Sequence, residues 1–285
     1  MKTYTYPSVL AIAGFDGSGG AGIQADIKTI SALGSYATTV LTALPVQNTQ
    51  GVRNIYPIPI EAVGEQIEAI MDDIMPAAIK IGMVHTPELV ATIAKTLEKY
   101  PKIPMVLDPV MVATSGHTLI EEATIAALSK QLLPIATIIT PNMDEAALLA
   151  NIEVKTLEDM RIAGEYILGM GCNSVLMKGG HQETERITSL FFDPNEGCVP
   201  FESTKIRTNN THGSGCSLSS AIATYLAQGE TLFNAVTSGQ SYVHDAIDHG
   251  KNVRTGKGNG PLNHFFNPKK MIKYEMDRTD LEKNR

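Results

Sequence analysis

The sequence predicts an α/β fold in which a mostly parallel central sheet is covered by helices on both faces. Short apolar runs alternate with longer segments whose apolar residues recur at helical spacing. The short runs, such as 8–14 and 105–111, are hydrophobic almost throughout, which is typical of strands buried on both faces. Alternating strands and helices favour parallel strands joined by crossover helices, and 285 residues are enough to bury a large core.

Local patterns predict the individual elements. The segment 21–34 places four apolar residues on one helical face and ends at Gly34, a plausible C-cap. The segment 36–46 is rich in β-branched residues and is predicted as one strand. The segment 187–206 differs, because two runs flanking the turn DPNEG indicate an antiparallel pair. The other predicted strands are 8–14, 77–83, 105–111, 136–142 and 173–180, and the other predicted helices are 61–73, 87–99, 119–132, 143–150, 157–170, 214–228 and 231–248.

Composition excludes several classes of protein. The net charge is −7, and no basic stripe interleaved with aromatic residues indicates nucleic-acid binding. The three cysteines are widely spaced and form no CxxC pair, which argues against structural zinc and against a disulfide framework. No apolar stretch approaches the roughly 20 residues of a membrane span. We therefore expect a cytoplasmic protein with one domain over 1–270 and a charged tail, 271–285, that forms a short helix.

In open α/β sheets ligands bind beyond the carboxyl ends of the strands. Several glycine-rich or polar segments of this sequence follow predicted strands and are therefore candidates for a ligand site. The sequence GSGGAG matches G-x-G-x-x-G, but no acidic residue occurs between Asp26 and Glu61 to hold a ribose, which disfavours a dinucleotide site. The loop also lacks the lysine of a P-loop. It is either a tight turn or a glycine shelf against which a flat substrate lies.

Three polar positions at strand ends have both a structural and a functional interpretation. Asn142 and Glu145 have the spacing of a helix capping box, although a carboxylate there could also orient Mg²⁺ through water. Lys178 ends an apolar strand and needs an anion, which is either a structural carboxylate or a transferring phosphate. Asp108 precedes a proline and is either a turn former or a metal or general-base carboxylate.

The sequence THGSGCS, residues 211–217, places a cysteine in a glycine turn that leads into a helix. The backbone amides of Gly213, Ser214, Gly215 and Cys216 should converge at this helix N-terminus and attract an anion. The positive electrostatic potential of these amides should also lower the pKa of the Cys216 thiol, so that Cys216 could act as a base or nucleophile. A structural cysteine remains an alternative, whereas a cysteine hydrolase is disfavoured because no papain-like signature surrounds the thiol, although His212 is close in the chain.

Taken together, these segments resemble the hydroxymethylpyrimidine/phosphomethylpyrimidine kinases of thiamine biosynthesis, in the ribokinase-like superfamily. The resemblance covers about 10–265 and rests on eight segments in family order: AGFDGSGGAGIQADIKT, TALPVQNTQGV, KIGMV, LDPVMVATSG, TPNMDEAALL, LMKGGH, NTHGSGCSLSSAIA and GKGNGPLNHF. It implies a three-layer α/β/α fold with a small antiparallel β excursion. It also implies ATP- and Mg²⁺-dependent phosphorylation of a pyrimidine hydroxymethyl group and then of its monophosphate, by a homodimer.

The resemblance also implies roles for individual residues. Cys216 is the candidate base for the substrate hydroxyl, at a position where the superfamily often has aspartate. Gln47 should hydrogen-bond the pyrimidine. The remaining implied roles are ring contacts for Gly14, Ala21, Met83 and Val110, stabilisation of the γ-phosphoryl group for Gly213, Ser214 and Gly215, phosphate contacts for Lys178 and Asn142, and magnesium binding for Asp108 and Glu145.

Two departures and three alternatives accompany this interpretation. Some relatives carry a lysine in the loop after Val110, where this chain has ATSG with Thr114, and Gly17 stands where proline is common. A pyridoxal/pyridoxine kinase is the main alternative, since such kinases share nearly all of these motifs. A binding protein without activity and a Rossmann oxidoreductase are the others.

Overall fold

The computed structural model describes residues 2–111, 120–180, 182 and 184–276. Its strands are β1 (Tyr4–Thr5), β2 (Ser8–Ala13), β3 (Tyr36–Leu41), β4 (Ala43–Asn48), β5 (Gly51–Pro57), β6 (Ala78–Ile81), β7 (Met105–Leu107), β8 (Ile138–Ile139), β9 (Val175–Met177), β10 (Arg186–Asp193), β11 (Gly197–Thr204) and β12 (Tyr274–Glu275). Its α-helices are α1 (Gly22–Ala32), α2 (Ile60–Asp73), α3 (Pro87–Leu97), α4 (Glu122–Ala127), α5 (Met143–Ala150), α6 (Leu157–Gly169), α7 (Ser214–Ala227) and α8 (Leu232–Gly250).

The central sheet has eight strands in the order β11-β10-β9-β8-β7-β6-β2-β3. The six strands from β9 to β3 run parallel, and β10 and β11 extend the sheet as an antiparallel hairpin. This arrangement confirms the predicted mostly parallel sheet and the predicted antiparallel pair. A separate two-stranded antiparallel sheet, β4-β5, is the small β excursion.

The core lies on both faces of this sheet, as the apolar runs predict. Every residue of β2 is buried, and its side chains alternate between the two faces. Leu10 and Ile12 pack on the side of α2, α3, α5 and α6, whereas Val9 and Ala11 pack on the side of α1, α7 and α8. The result is the expected three-layer α/β/α arrangement.

Several elements differ from the sequence prediction: β1 and β5 were not predicted, and α4 covers only Glu122–Ala127 of the helix predicted over 119–132. The strand predicted over 36–46 is two strands, because the chain leaves the sheet at Thr42, whose hydroxyl donates to the Met83 carbonyl (2.7 Å) and whose amide donates to the Ala13 carbonyl (3.0 Å). Tyr274–Glu275 forms a strand with β1 rather than the helix predicted for the tail, and residues 277–285 lie outside the described part of the chain. Among the described residues, no helix is long and apolar enough to span a bilayer.

His264 supports the start of α7 from the motif GKGNGPLNHF. It is 4 % exposed, its Nε2 lies 3.0 Å from the Ser217 hydroxyl, and its carbonyl accepts from the Tyr242 hydroxyl (2.9 Å). Burial lowers the pKa of His264 to about 4, and the positive charge of Lys28 adds to this effect. The imidazole is therefore neutral in the folded protein at pH 6.

This lowered pKa predicts a pH dependence of stability. Between pH 6.5 and pH 4 the unfolded chain binds a proton on His264 that the folded protein does not, so the free energy of unfolding falls as the pH falls, by up to about 3 kcal/mol. Denaturant unfolding of the wild type and of His264→Gln at pH 7 and pH 4.5 measures this. We expect the variant to lose less stability over that range, and equal losses would contradict the prediction.

Candidate active site

Three of the predicted site residues follow neighbouring strands and meet at the carboxyl edge of the sheet. Asp108 follows β7, Asn142 lies between β8 and α5, and Lys178 follows β9. Asn142 and Lys178 form an isolated parallel bridge, and the Lys178 amide donates to the Pro141 carbonyl at 2.8 Å. The predicted capping box is confirmed: the Asn142 side chain accepts from the Glu145 amide, and the Glu145 carboxylate accepts from the Asn142 amide, both at 2.8 Å.

A lysine between two carboxylates forms the charged centre of this edge. Lys178 Nζ donates to Asp108 Oδ1 at 2.9 Å and lies 3.7 Å from Glu145 Oε2. Burial alone would raise the pKa of Asp108, but Lys178, Lys80 and a hydrogen bond from Thr140 together outweigh burial and lower it. Burial raises the pKa of Glu145 to about 7, although Lys178 opposes the shift. Burial would lower the pKa of Lys178, but the two carboxylates raise it, so the ammonium stays charged.

The turn before α7 lies directly against this charged centre. A Cβ built on Gly215 would lie 3.1 Å from Lys178 Nζ and 3.6 Å from Asp108 Oδ2. Gly213 has φ +83° and caps the helix, with its carbonyl accepting from the Ser217 amide at 2.8 Å. The Ser214 amide donates to the Thr211 carbonyl at 3.1 Å, so this amide is already engaged rather than converging on an anion as the sequence predicts. Gly215 and Cys216 supply the other amides of the first turn.

The predicted lowering of the thiol pKa is wrong. Burial raises the pKa of the Cys216 thiol to about 11, despite the opposing charge of Lys80 and a hydrogen bond from the Gly22 amide. The carboxylates of Asp26 and Asp108 raise it further. Burial and two nearby negative charges therefore outweigh the effects of Lys80 and Gly22 that lower the pKa, and the thiol carries its proton at neutral pH.

The residues expected to contact the substrate ring lie around the glycine loop before α1 and beside Asp108. A Cβ on Gly14 would lie 3.2 Å from Met83 Sδ, and one on Gly22 would lie 2.3 Å from the Gly14 carbonyl oxygen. Ala21 caps α1 next to Gly22, so it adjoins the same surface. The half-buried Val110 donates its amide to the Asp108 carbonyl at 2.8 Å, which ties it to the charged centre.

Gln47 lies at a bulge in the β4-β5 sheet. It lines a cavity of about 330 Å³ together with His212 and Lys257. The Thr49 carbonyl accepts from the Asn259 amide at 2.9 Å, which holds the glycine-rich segment 256–260 against the turn after Gln47. Thr114 belongs to residues 112–119, outside the described part of the chain.

Asp16 is a site residue that sequence reasoning missed. Its buried carboxylate accepts from the amides of Gly20 (3.1 Å) and Ala21 (2.7 Å), from Ser18, and from His212 Nε2 (2.9 Å). Burial would raise the pKa of Asp16, but the hydrogen bonds from His212, Ser18 and Ala21 hold it well below its usual range. The sequence did contain an indication of this role, because Asp16 begins a glycine loop and aspartate commonly accepts hydrogen bonds from nearby amides in turns.

The Asp16–His212 pair joins the glycine loop to the turn before α7. His212, the histidine four residues before Cys216, therefore pairs with the Asp16 carboxylate through Nε2, which argues further against a cysteine–histidine hydrolase. Within the described residues no three His, Cys, Asp or Glu side chains form a group that could enclose a metal. Mg²⁺ needs no such group, since one or two carboxylates with water and phosphate oxygens suffice, and Asp108 with Glu145 fits that donor set.

The fold and this edge of the sheet define a small-molecule kinase of the ribokinase-like class, in which a lysine and a carboxylate face a helix N-terminus without a Walker loop. A family model described as phosphomethylpyrimidine kinase matches residues 16–263. The chain belongs to this family, and the Rossmann oxidoreductase interpretation is thereby wrong.

Individual relatives give the extent of the similarity. The chain is 45% identical over 257 residues to the hydroxymethylpyrimidine/phosphomethylpyrimidine kinase of Rhizobium meliloti, covering 90% of this chain and 96% of that one. It spans about half the length of the bifunctional thiamine biosynthesis enzymes that it also matches, such as that of Oryza sativa.

Two solved structures are similar along most of the chain. The phosphomethylpyrimidine kinase of Clostridium difficile 630 is 42% identical with a TM-score of 0.74, covering 84% of this chain and 99% of that one. An ADP complex of Bacillus subtilis pyridoxal kinase is 33% identical with a TM-score of 0.83, covering 91% and 98%. Identity is higher to the first and the TM-score is higher for the second, so the phosphomethylpyrimidine and pyridoxal kinases share this fold.

Proposed function

We propose that this protein is an ATP- and Mg²⁺-dependent kinase that phosphorylates 4-amino-5-hydroxymethyl-2-methylpyrimidine and then its monophosphate in thiamine biosynthesis. The observation that carries the proposal is the position of Lys178 and Asp108 beside Gly215 in the first turn of α7, where a Cβ would lie 3.1 Å from Lys178 Nζ and 3.6 Å from Asp108 Oδ2. It brings a cation, a carboxylate and helix amides to one place, as phosphoryl transfer requires. The names of the relatives with the highest coverage support the pyrimidine as substrate.

One group of residues would contact the phosphates and Mg²⁺, and a second group would contact the acceptor. Lys178, with Asn142 beside it, provides positive charge and a polar contact for the phosphates, and Gly213, Ser214 and Gly215 form the turn on which the transferring group rests. Asp108 and Glu145 would hold Mg²⁺, which would supply charge neutralisation on that group.

The ring side positions the acceptor hydroxyl. Gly14 and Ala21 give a flat surface, Met83 and Val110 give apolar contacts, and Gln47 hydrogen-bonds the ring. Cys216 lies between the glycine loop, through the Gly22 amide, and the charged centre, through Gly215. We therefore propose that Cys216 receives the proton of the hydroxyl in those molecules in which its thiol has first lost its own proton to solvent.

Replacing Cys216 tests this role. Cys216→Ala is expected to lower kcat by about 100-fold or more, the usual contribution of a general base, with KM for ATP little changed. Cys198→Ala, which removes a half-buried thiol on β11, is the matched control and should leave kcat unchanged. If Cys216→Ala keeps kcat within threefold of wild type, the proton goes to Asp108 or to water.

Pyridoxal is the alternative acceptor, favoured by the similarity to solved pyridoxal kinases. The deciding experiment measures ATP-dependent product formation with Mg²⁺ and the kcat/KM of the hydroxymethylpyrimidine, its monophosphate and pyridoxal at equal concentrations. Preference for the first two supports the proposal. Preference for pyridoxal would overturn the ring-side assignment, and binding of the pyrimidine without turnover would indicate a protein that has lost activity.

We also propose a cytoplasmic homodimer, as the family resemblance and the cysteine usage suggest. Sedimentation equilibrium of the purified chain, whose protomer mass is 30.6 kDa, tests the oligomeric state directly. A mass near that of one protomer at micromolar concentration would contradict the dimer.

A further inference from the structure

A completely buried ion pair lies below the proposed site, and the proposed phosphoryl transfer does not use it. Lys80, from the motif KIGMV, donates from Nζ to both carboxylate oxygens of Asp26 at 2.9 Å, and neither side chain is exposed. The Ser220 hydroxyl donates to Asp26 Oδ1 at 2.7 Å. Burying an ion pair has a desolvation cost that well-packed apolar side chains avoid, so stability alone is a weak explanation for these three residues.

Lys80, Asp26 and Ser220 form a buried cluster, which lies one helical turn further along α1 and α7 than Gly22 and Cys216. Ser220 follows Cys216 by four residues on α7, and Asp26 follows Gly22 by four residues on α1, so each pair lies on one face of its helix. The Gly22 amide faces the Cys216 thiol and lowers its pKa. The two helices therefore approach each other at two levels, Gly22 with Cys216 above and Asp26 with Ser220 below, and a hydrogen bond joins them at the lower level.

At the lower level Lys80 joins the sheet to α1 directly, and to α7 through Asp26, which also accepts from Ser220. A Cβ on Gly82 would lie 2.7 Å from Lys80 Nζ, so the ammonium packs against the end of β6 where a side chain would collide with it. The charged groups that act on Lys80 and Cys216 are Asp26 from α1 and Asp108 after β7. Burial raises the pKa of Cys216, and the positive charge of Lys80 opposes that rise.

We infer that Lys80, Asp26 and Ser220 are positioning residues that hold Cys216 and the first turn of α7 in register with the glycine loop. The inference rests on the proposed kinase function. Among the described residues, the side chains of the cluster hydrogen-bond one another and not the expected ring or phosphate contacts, so loss of the cluster should lower kcat while KM for ATP and for the acceptor stays nearly constant.

The test replaces the ion pair by neutral side chains of similar size, Lys80→Met with Asp26→Asn, so that no unpaired charge remains buried. The matched control is Thr224→Val, which removes a buried hydroxyl one turn further along α7 that donates to the Ser220 carbonyl. Turnover is measured per mole of folded protein. The rate of alkylation of Cys216 by iodoacetamide at pH 8 is measured in a Cys172→Ala, Cys198→Ala background.

We expect the double variant to lose at least tenfold in kcat and to keep both KM values within threefold. We also expect Cys216 to alkylate at least threefold faster, because the thiol is no longer held in place, whereas the charges of Lys80 and Asp26 act on its pKa in opposite directions and are removed together. A kcat within twofold of the Thr224→Val control would overturn the inference. If the double variant does not fold, Ser220→Ala takes its place, with an expected loss of at least threefold in kcat, and an unchanged kcat would overturn the inference. An inactive wild type would defeat the proposed function, whereas the alkylation rates would still test the positioning of Cys216.

Discussion

Lys178→Met is expected to lower kcat by about 100-fold or more, with a smaller effect on KM for the acceptor. The Lys178 side chain is only 14 % exposed, and its ammonium lies next to the first turn of α7. In such a site a fixed charge that faces the transferring phosphoryl group is worth roughly 3 kcal/mol to the transition state. Methionine keeps the length of the side chain and removes the charge.

The same substitution should also destabilise the protein, because Asp108 and Glu145 lose the cation between them. Thermal unfolding therefore accompanies the kinetics, and kcat is referred to folded protein. Lys155→Met, which removes an exposed lysine, is the control and should change neither quantity appreciably. If Lys178→Met kept kcat within threefold, Lys178 would be a structural partner of the carboxylates and its proposed phosphate contact would be wrong.

Gly213→Ala is expected to abolish measurable activity and to lower Tm strongly. The residue has φ +83°, where a Cβ costs about 1–2 kcal/mol. Its Cβ would also lie 1.8 Å from the carbonyl oxygen of Gly20, so the turn and the glycine loop would have to move apart. That movement would separate the phosphate side of the site from the ring side.

Gly197→Ala is the matched control for this substitution. Gly197 also has a positive φ, +73°, but a Cβ there meets nothing within 4 Å. The control should therefore show the backbone cost alone, about 1–2 kcal/mol in the free energy of unfolding, with normal activity. Equal losses of stability in the two variants would mean that the contact between Gly213 and Gly20 has no role in holding the site.

Much of the fold could be predicted because its strands are buried on both faces and its helices are amphipathic. The uniform burial of β2 and the capping box of Asn142 and Glu145 follow from patterns a few residues long. The division of 36–46 at Thr42 could not be predicted, because a partner distant in the chain, the carbonyl of Met83, stabilises the break. The tail strand likewise depends on pairing with β1, which lies at the other end of the chain.

The sequence by itself determined the type of fold and which residues are available for the chemistry, since both depend on local patterns and on motifs. The tertiary structure alone decided the charge states and the connections of those residues. Cys216 keeps its proton because burial and the nearby carboxylates of Asp26 and Asp108 raise its pKa. Asp16 hydrogen-bonds His212, which lies 196 positions away in the chain. A pKa and a long-range hydrogen bond depend on distances in space, which residue spacing along a chain does not specify.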